Sequence, residues 1–351
     1  MVAGEVSTSK RARSSSGDSA VKLLADPFRR KWMRSSLVRA AFGEAFRELG
    51  DDARAVEWLQ SSAGTAYSRL QLRHIEFMAN SLSRLDTTDG HANAERIINA
   101  LDSLESVQPQ PARGSSVCEE LSASAASERK CLQGSNLMRQ AMMEGVEMGQ
   151  RAALLTKATG NFMEGHAEKA DRGDHADRRA YALSSGLACA AMALLLKGDR
   201  SSIEQMIDPP GMSSAPSLGW RKRSRQLLEE LDAVKVSTSF WQYTNHFELL
   251  VAVNLLRCAL GENPDLKELD RALLLLTHAM VRWPSPNEFD STKSRFAAIA
   301  CVCSELCANP VGPVDPADPI DNANAGDRAR LRHLEPVRQT VNEALAILER
   351  H

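Results

Sequence analysis

Aromatic residues make up only 5% of this 351-residue chain, and tyrosine occurs 3 times. Strands draw on aromatic and β-branched side chains, so the shortage argues against a sheet-built core. Alternation with a period of two is also missing outside short loop segments. No stretch reaches the roughly 18 apolar residues that a membrane span requires. An excess of one charge is lacking too: 43 basic residues stand against 45 acidic ones, for a net charge of −2. That balance gives no global drive toward nucleic acid or an anionic membrane. The 7 cysteines are odd in number and irregular in spacing, which excludes a disulfide framework. Neither a G-x-S-x-G elbow nor a phosphate-cradling G-x-x-x-x-G-K-[ST] run occurs.

Hydrophobic residues nonetheless reach 43% of the chain, and alanine and leucine dominate them. A substantial helical core follows, and global disorder does not. Segments rich in Pro, Gly, Ser or Asp divide the chain into blocks. Residues 1–20 (MVAGEVSTSKRARSSSGDSA) hold no apolar signal-peptide core and are expected to be a disordered, Ser-rich basic tail. Residues 21–107 read as N-terminal helical hairpins, 108–132 as a linker and 133–207 as a methionine-rich helical block. Residues 208–219 read as a second linker, 220–308 as C-terminal hairpins, 309–327 as a Pro/Asp-rich loop and 328–351 as a closing helix.

The most informative stretch is Leu37 to Tyr67, LVRAAFGEAFRELGDDARAVEWLQSSAGTAY. Asp26 before Pro27 is a helix start, and Gly50 is a helix stop. Leu37, Ala41, Phe42, Ala45, Phe46 and Leu49 form one apolar stripe. Ala55, Val56, Leu59 and Ala63 continue the pattern on a second helix. Gly43, Gly50 and Ala55 supply the small side chains that two closely crossing helices need, with Phe46 and Leu59 as bulk beside them. Looser forms of the pattern recur at Ile75, Met78, Ala79 and Leu82, followed by Ala94, Ile98 and Leu101. They recur again at Leu187, Ala190, Ala191, Leu194 and Gly198, and at Val251, Ala252 and Leu255, followed by Ala272, Leu276, Ala279 and Pro284.

This pattern resembles the tetratricopeptide repeat, whose unit is about 34 residues long. The matching positions are Phe42, Gly43, Phe46, Gly50, Ala55 and Leu59. The family's first aromatic is replaced by Arg39, its late alanine falls on Ser62, and its closing proline falls on Tyr67. The resemblance implies an all-α, irregular α-solenoid of stacked helix hairpins that presents a groove to a partner peptide. First helices of repeats line such grooves. On that resemblance the candidate contacts are Arg39, Glu44, Arg47, Arg73, Glu76 and Asn80, with an acidic peptide as the expected partner.

Other clusters carry blander readings. CVCSELC holds Cys301, Cys303 and Cys307 within a helical pattern, where only Cys303 and Cys307 share a face, so small core residues are the expectation rather than a metal site. His166 and His175 lie among Glu164, Glu168, Asp171 and Asp174, which reads as a solvated, charged helix end. His74, His246 and His278 sit inside helical patterns and read as packed or surface-facing. The basic run Arg221-Lys222-Arg223-Ser224-Arg225 is followed at once by Glu229, Glu230 and Asp232, as on an exposed helix. Met138, Met142, Met143 and Met148 read as helix core, with an adaptable binding face as the sharper alternative. The expected protein is therefore an intracellular scaffold, cytoplasmic or nuclear, with no cofactor, metal or catalytic residue assigned. The rival readings are an enzyme on an irregular helical fold, a nucleic-acid-associated regulator and an exported effector.

Overall fold

The computed structural model describes residues 36–62, 69–107, 116–171, 176–208, 219–234, 239–282, 284–308 and 319–350. The expected tail of residues 1–20 and the Asp26–Pro27 helix start lie outside them. Among the described residues there are 13 helices and no strand, so the protein is all-α. In chain order they are α1 (Ser36–Glu48), α2 (Asp52–Ser62), α3 (Arg69–Arg84), α4 (Thr88–Val107), α5 (Ser116–Ala141), α6 (Met148–Asp171) and α7 (Ala176–Leu195). They continue as α8 (Arg200–Ile207), α9 (Trp220–Ala233), α10 (Phe240–Ala259), α11 (Leu266–Met280), α12 (Pro286–Ala308) and α13 (Pro319–Glu349).

The α1–α2 hairpin forms as its small residues require. Gly50 takes a left-handed φ of 72°, and its N–H donates to Arg47 O at 2.9 Å. The Asp51 N–H reaches back to Phe46 O at 2.9 Å, completing a Schellman ending. Asp51 then caps α2 by accepting from the Arg54 N–H at 3.1 Å. One residue thus closes one helix and opens the next. Ala55 and Leu59 are buried against α1, and the Trp58 ring stands 5.4 Å from that of Phe42.

Two segment readings need correction. Helix α5 starts at Ser116, inside the stretch read as a linker. Once Pro111 and Gly114 are passed, SVCEELSASAASERKC has no breaker, and alanine and glutamate favour helix. Helix α13 starts at Pro319, inside the stretch read as a loop, with the proline at its first position where the missing N–H costs nothing.

Helices α7 and α10 form the centre. Residues Ala182 to Leu194 of α7 and Thr244 to Leu256 of α10 are buried without a break. Stretches buried on every side must be covered on every side, and these two pack on each other and on α6, α9, α11 and α13; their buried polar groups, such as Glu248 and Asn254, find partners within the core. The resulting core extends from Cys131 on α5 to Leu348 on α13. A second, smaller core of Val56, Leu59, Met78, Ala79, Leu82, Ala94 and Ile98 holds α2, α3 and α4 together. The two cores are separate.

Helix α12 bridges them. It contacts α1 and α7. Its Asn287 and Ser291 accept hydrogen bonds from Arg84 of α3. Its Phe296 ring stacks on Phe247 of α10 with centroids 4.6 Å apart, and its Glu305 pairs with Arg151 of α6.

Candidate functional site

The six residues that the repeat resemblance singles out do not form one exposed strip. Arg47 on α1 lays its guanidinium over the Phe77 ring of α3, 3.9 Å from the centroid, and pairs with Glu48. Its Nε is shut off from solvent without an acceptor, as is that of Arg39. Glu76 accepts from Arg129 of α5 at 3.2 Å. Glu44 and Asn80 are half-buried, and the Arg73 side chain lies outside the described residues. The structure therefore brings Arg47 and Glu76 into contacts between helices. The polar faces of α1 and α3 are where Phe77 and α5 meet them.

Polar contacts join the N-terminal helices to the rest. Ser285 and Glu288 form a capping box at the start of α12: the Ser285 N–H donates to Glu288 Oε2 at 2.8 Å, and the Glu288 N–H to Ser285 Oγ at 3.2 Å. The Ser285 hydroxyl also donates to Glu48 Oε2 of α1 at 3.1 Å. Arg84 donates to Asn287 and Ser291 and stands 3.8 Å from Asp52. Burial pushes the Asp52 carboxyl up, against the pull of Arg84. Burial likewise pushes Arg84 down, against the pull of Asp52. On α5, Arg129 reaches Asp102 at 2.8 Å, and the Asn136 amide donates to His91 O at 3.2 Å.

A crevice opens where these parts meet. It has a volume of about 460 Å³ and runs between the end of α5, the α3–α4 turn and α12. Met138, Met142 and Met143 line one wall, and Ala297, Ala298 and Cys301 line the other. Arg139 reaches in between them, while Asp86 and Glu144 stand exposed at the mouth. Asp86 holds a left-handed φ of 49°, which an aspartate tolerates better than most residues. Among the described residues, the Arg139 side chain has one hydrogen bond, from Nη1 to Ser83 Oγ at 2.9 Å. Burial and the nearby charge of Arg84 push its pKa down to about 10. The rest of its five N–H donors make no hydrogen bond among the described residues. Partial desolvation and Glu305 push the Cys301 thiol up, which makes it a poor nucleophile.

The sequence reads the methionines as core, with an adaptable face as the alternative, and the structure divides them. Met138 is buried, Met142 and Met143 line the crevice, and Met148 is exposed. Arg84, Arg139 and Asn287 escaped sequence reasoning. They lie far apart in the chain, and nothing local distinguishes them from surface residues.

His166 is buried rather than solvated: it makes a 3.1 Å hydrogen bond to Arg179 O, and burial pushes its pKa down to about 4. The helix end turns inward because Lys169, also buried, finds Glu128 of α5 at 2.9 Å. His175 lies outside the described residues. His74 and His246 are buried, and His278 is exposed. Cys301 is exposed and Cys303 buried, on opposite sides of α12 as the helical period requires, and the Cys307 side chain is not described. Burial pushes the thiols of Cys131, Cys189 and Cys258 up to about 12, so they pack as small apolar groups. Among the described residues no group of three or more His, Cys, Asp or Glu could hold a metal ion. No described helix is long and apolar enough to cross a membrane. No protein-family model, curated protein or solved structure matches the chain.

Proposed function

We propose that this chain is a non-enzymatic, intracellular interaction scaffold built from irregular, tetratricopeptide-like hairpins, and that it binds a peptide or helix of a protein partner. The observation that carries this reading is the methionine-walled crevice of about 460 Å³ between α5 and α12. Its size falls within the roughly 300–1,000 Å³ of ordinary ligand sites. Thioether side chains are flexible and polarizable, and they mould around different apolar groups. An apolar anchor of the partner would enter between Met142 and Ala297. An adjacent acceptor would meet Arg139. Asp86 and Glu144 at the mouth oppose a run of acidic residues, so a single acidic residue beside the anchor fits better than an acidic tract.

The test is site-specific photocrosslinking in the native cell from Ala297, which is exposed beside the crevice, with exposed Leu274 on α11 as the control position. The expected result is one set of protein partners captured from position 297 alone. Capture should be lost on Met142→Asp, with the thermal midpoint of the variant unchanged. Equal capture from both positions, or capture indifferent to Met142→Asp, rejects the crevice as the interaction surface.

A further inference from the structure

The basic run on α9 breaks a local rule. A helix N-terminus carries a partial positive charge and favours acidic residues in its first turn. Helix α9 has none there. It begins Trp220-Arg221-Lys222-Arg223, with Arg225 one turn on, and its cap residue, Gly219, provides no side-chain hydrogen bond. Asp208 caps the Trp220 N–H at 2.6 Å, and Arg223 turns back to Ile207 O. Arg221 stacks its guanidinium 4.6 Å from the centroid of the Trp220 ring and pairs with Glu262. Arg225 has no hydrogen bond or ion pair among the described residues.

A second cavity lies on this side of the helix. It has a volume of about 240 Å³ and is walled by Trp220, Arg221, Ser224, Arg225 and Leu228 of α9, with Val253 and Arg257 of α10 and Glu262 and Glu268 beyond. Its charges are unevenly engaged. Glu262 is held by Arg221, and Glu268 accepts from the Asn254 amide at 3.0 Å. The guanidiniums of Arg225 and Arg257 have no partner among the described residues. Ser224 is 2% exposed, and its hydroxyl oxygen has no hydrogen-bond partner. A buried hydroxyl that forgoes its partner costs roughly 1–3 kcal/mol. Two guanidiniums without a protein partner among the described residues and an unsatisfied buried hydroxyl therefore line one cavity between α9 and α10.

We propose that this cavity binds a phosphate monoester. Guanidiniums meet tetrahedral oxyanions with paired N–H donors, and the Ser224 hydroxyl supplies another donor. The volume is below the roughly 300 Å³ at which ligand sites usually begin, so a phosphate on a short stem fits and a nucleotide does not. Trp220, Leu228 and Val253 provide the apolar side for that stem. The same chemistry arrives from two sources, a free small phosphate ester or a phosphorylated serine or threonine of a partner. The site stands apart from the α5–α12 crevice and does not depend on it.

Isothermal titration of the full chain with O-phosphoserine, glutamate and a phosphoserine-containing peptide tests the assignment. Saturable binding of phosphoserine is expected, at least about tenfold tighter than glutamate and weakening with added salt. The double variant Arg225→Ala/Arg257→Ala should lose it by tenfold or more. Ser224→Ala should weaken it less, and circular dichroism should be unchanged in both variants. A peptide that binds much tighter than free phosphoserine identifies a partner's phosphorylated residue, and equal affinity identifies a small ester; either supports the site. No binding at millimolar phosphoserine, equal affinity for glutamate, or full binding by the double variant overturns it.

Discussion

Gly43 of α1 lies so close to Leu59 of α2 that a methyl group on its α-carbon would stand 2.6 Å from Leu59 Cγ. The Leu59 backbone N would be only 3.2 Å away, so a rotamer change of Leu59 cannot relieve the contact entirely. Gly43→Ala should therefore destabilise the protein by roughly 1–3 kcal/mol, the usual cost of overpacking, despite the better helix propensity of alanine. Gly43→Leu should cost more. Urea unfolding of Gly43→Ala, Leu59→Ala and the double variant measures it. The double variant should be more stable than the sum of the single effects predicts, and strict additivity would show that the two residues are not in contact.

Arg84 fastens α3 to the first turns of α12 through Asn287 and Ser291. Because α2, α3 and α4 have a core of their own, this contact couples two units that could open separately. Arg84→Ala should cost about 2–3 kcal/mol, in the range of hydrogen bonds to a charged group. Hydrogen exchange should quicken in α1 to α4 while α7 and α10 keep their protection. Uniform loss of protection across all helices would contradict a separable N-terminal unit.

Glu248 of α10 and Arg295 of α12 form an ion pair beside the Tyr181 ring, whose centroid is 5.3 Å from the guanidinium. Burial pushes the Glu248 carboxyl up, and Arg295 restrains it. Glu248→Ala would strand the guanidinium and should cost roughly 3–5 kcal/mol. Replacing both residues with methionine should recover most of that loss. A single variant within 1 kcal/mol of the parent protein, by the order of magnitude expected for surface pairs, would place the pair in solvent.

Acid should weaken the fold through two buried histidines. His166 and His246 each have a pKa pushed by burial from 6.5 down to about 4. The unfolded chain binds a proton first, so this contribution to stability is whole above about pH 6.5 and drains away as pH falls toward 4. On the order of 3 kcal/mol is at stake for each. His166→Asn should flatten the dependence of stability on pH between 6.5 and 4, read as the shift of the urea midpoint. An unchanged slope would mean that His166 is hydrated in the native state.

Much of the fold was legible from local chemistry. Ala272, Leu276 and Ala279 were readable as one helix face because they recur every three to four positions, and all three are buried on α11. Gly50 was readable as a stop because a left-handed ending favours glycine. The segment from Ser116 was missed because serine-rich composition suggested a linker, although its alanines and glutamates sustain a helix once α6 packs on it. His166 was misread for a related reason. Its acidic neighbours implied solvent, and only the packing of α6 against α5 and α7 showed that the face turns inward.

The candidate contacts show the same division. Arg47 sits where the periodicity of α1 puts a polar residue, yet its surroundings are set by Phe77, thirty positions on. Helical period, capping chemistry and residue size act over a few residues, so the sequence by itself determined an all-α protein, the break at Gly50 and the close crossing of α1 and α2. Which polar residues end up buried depends on contacts between distant elements. The tertiary structure alone decided that α12 bridges two separate cores and that Arg139 comes to stand among methionines. It also left Arg225, Arg257 and Ser224 unengaged around one cavity, because burial and charge balance belong to the assembled surface rather than to any stretch of chain.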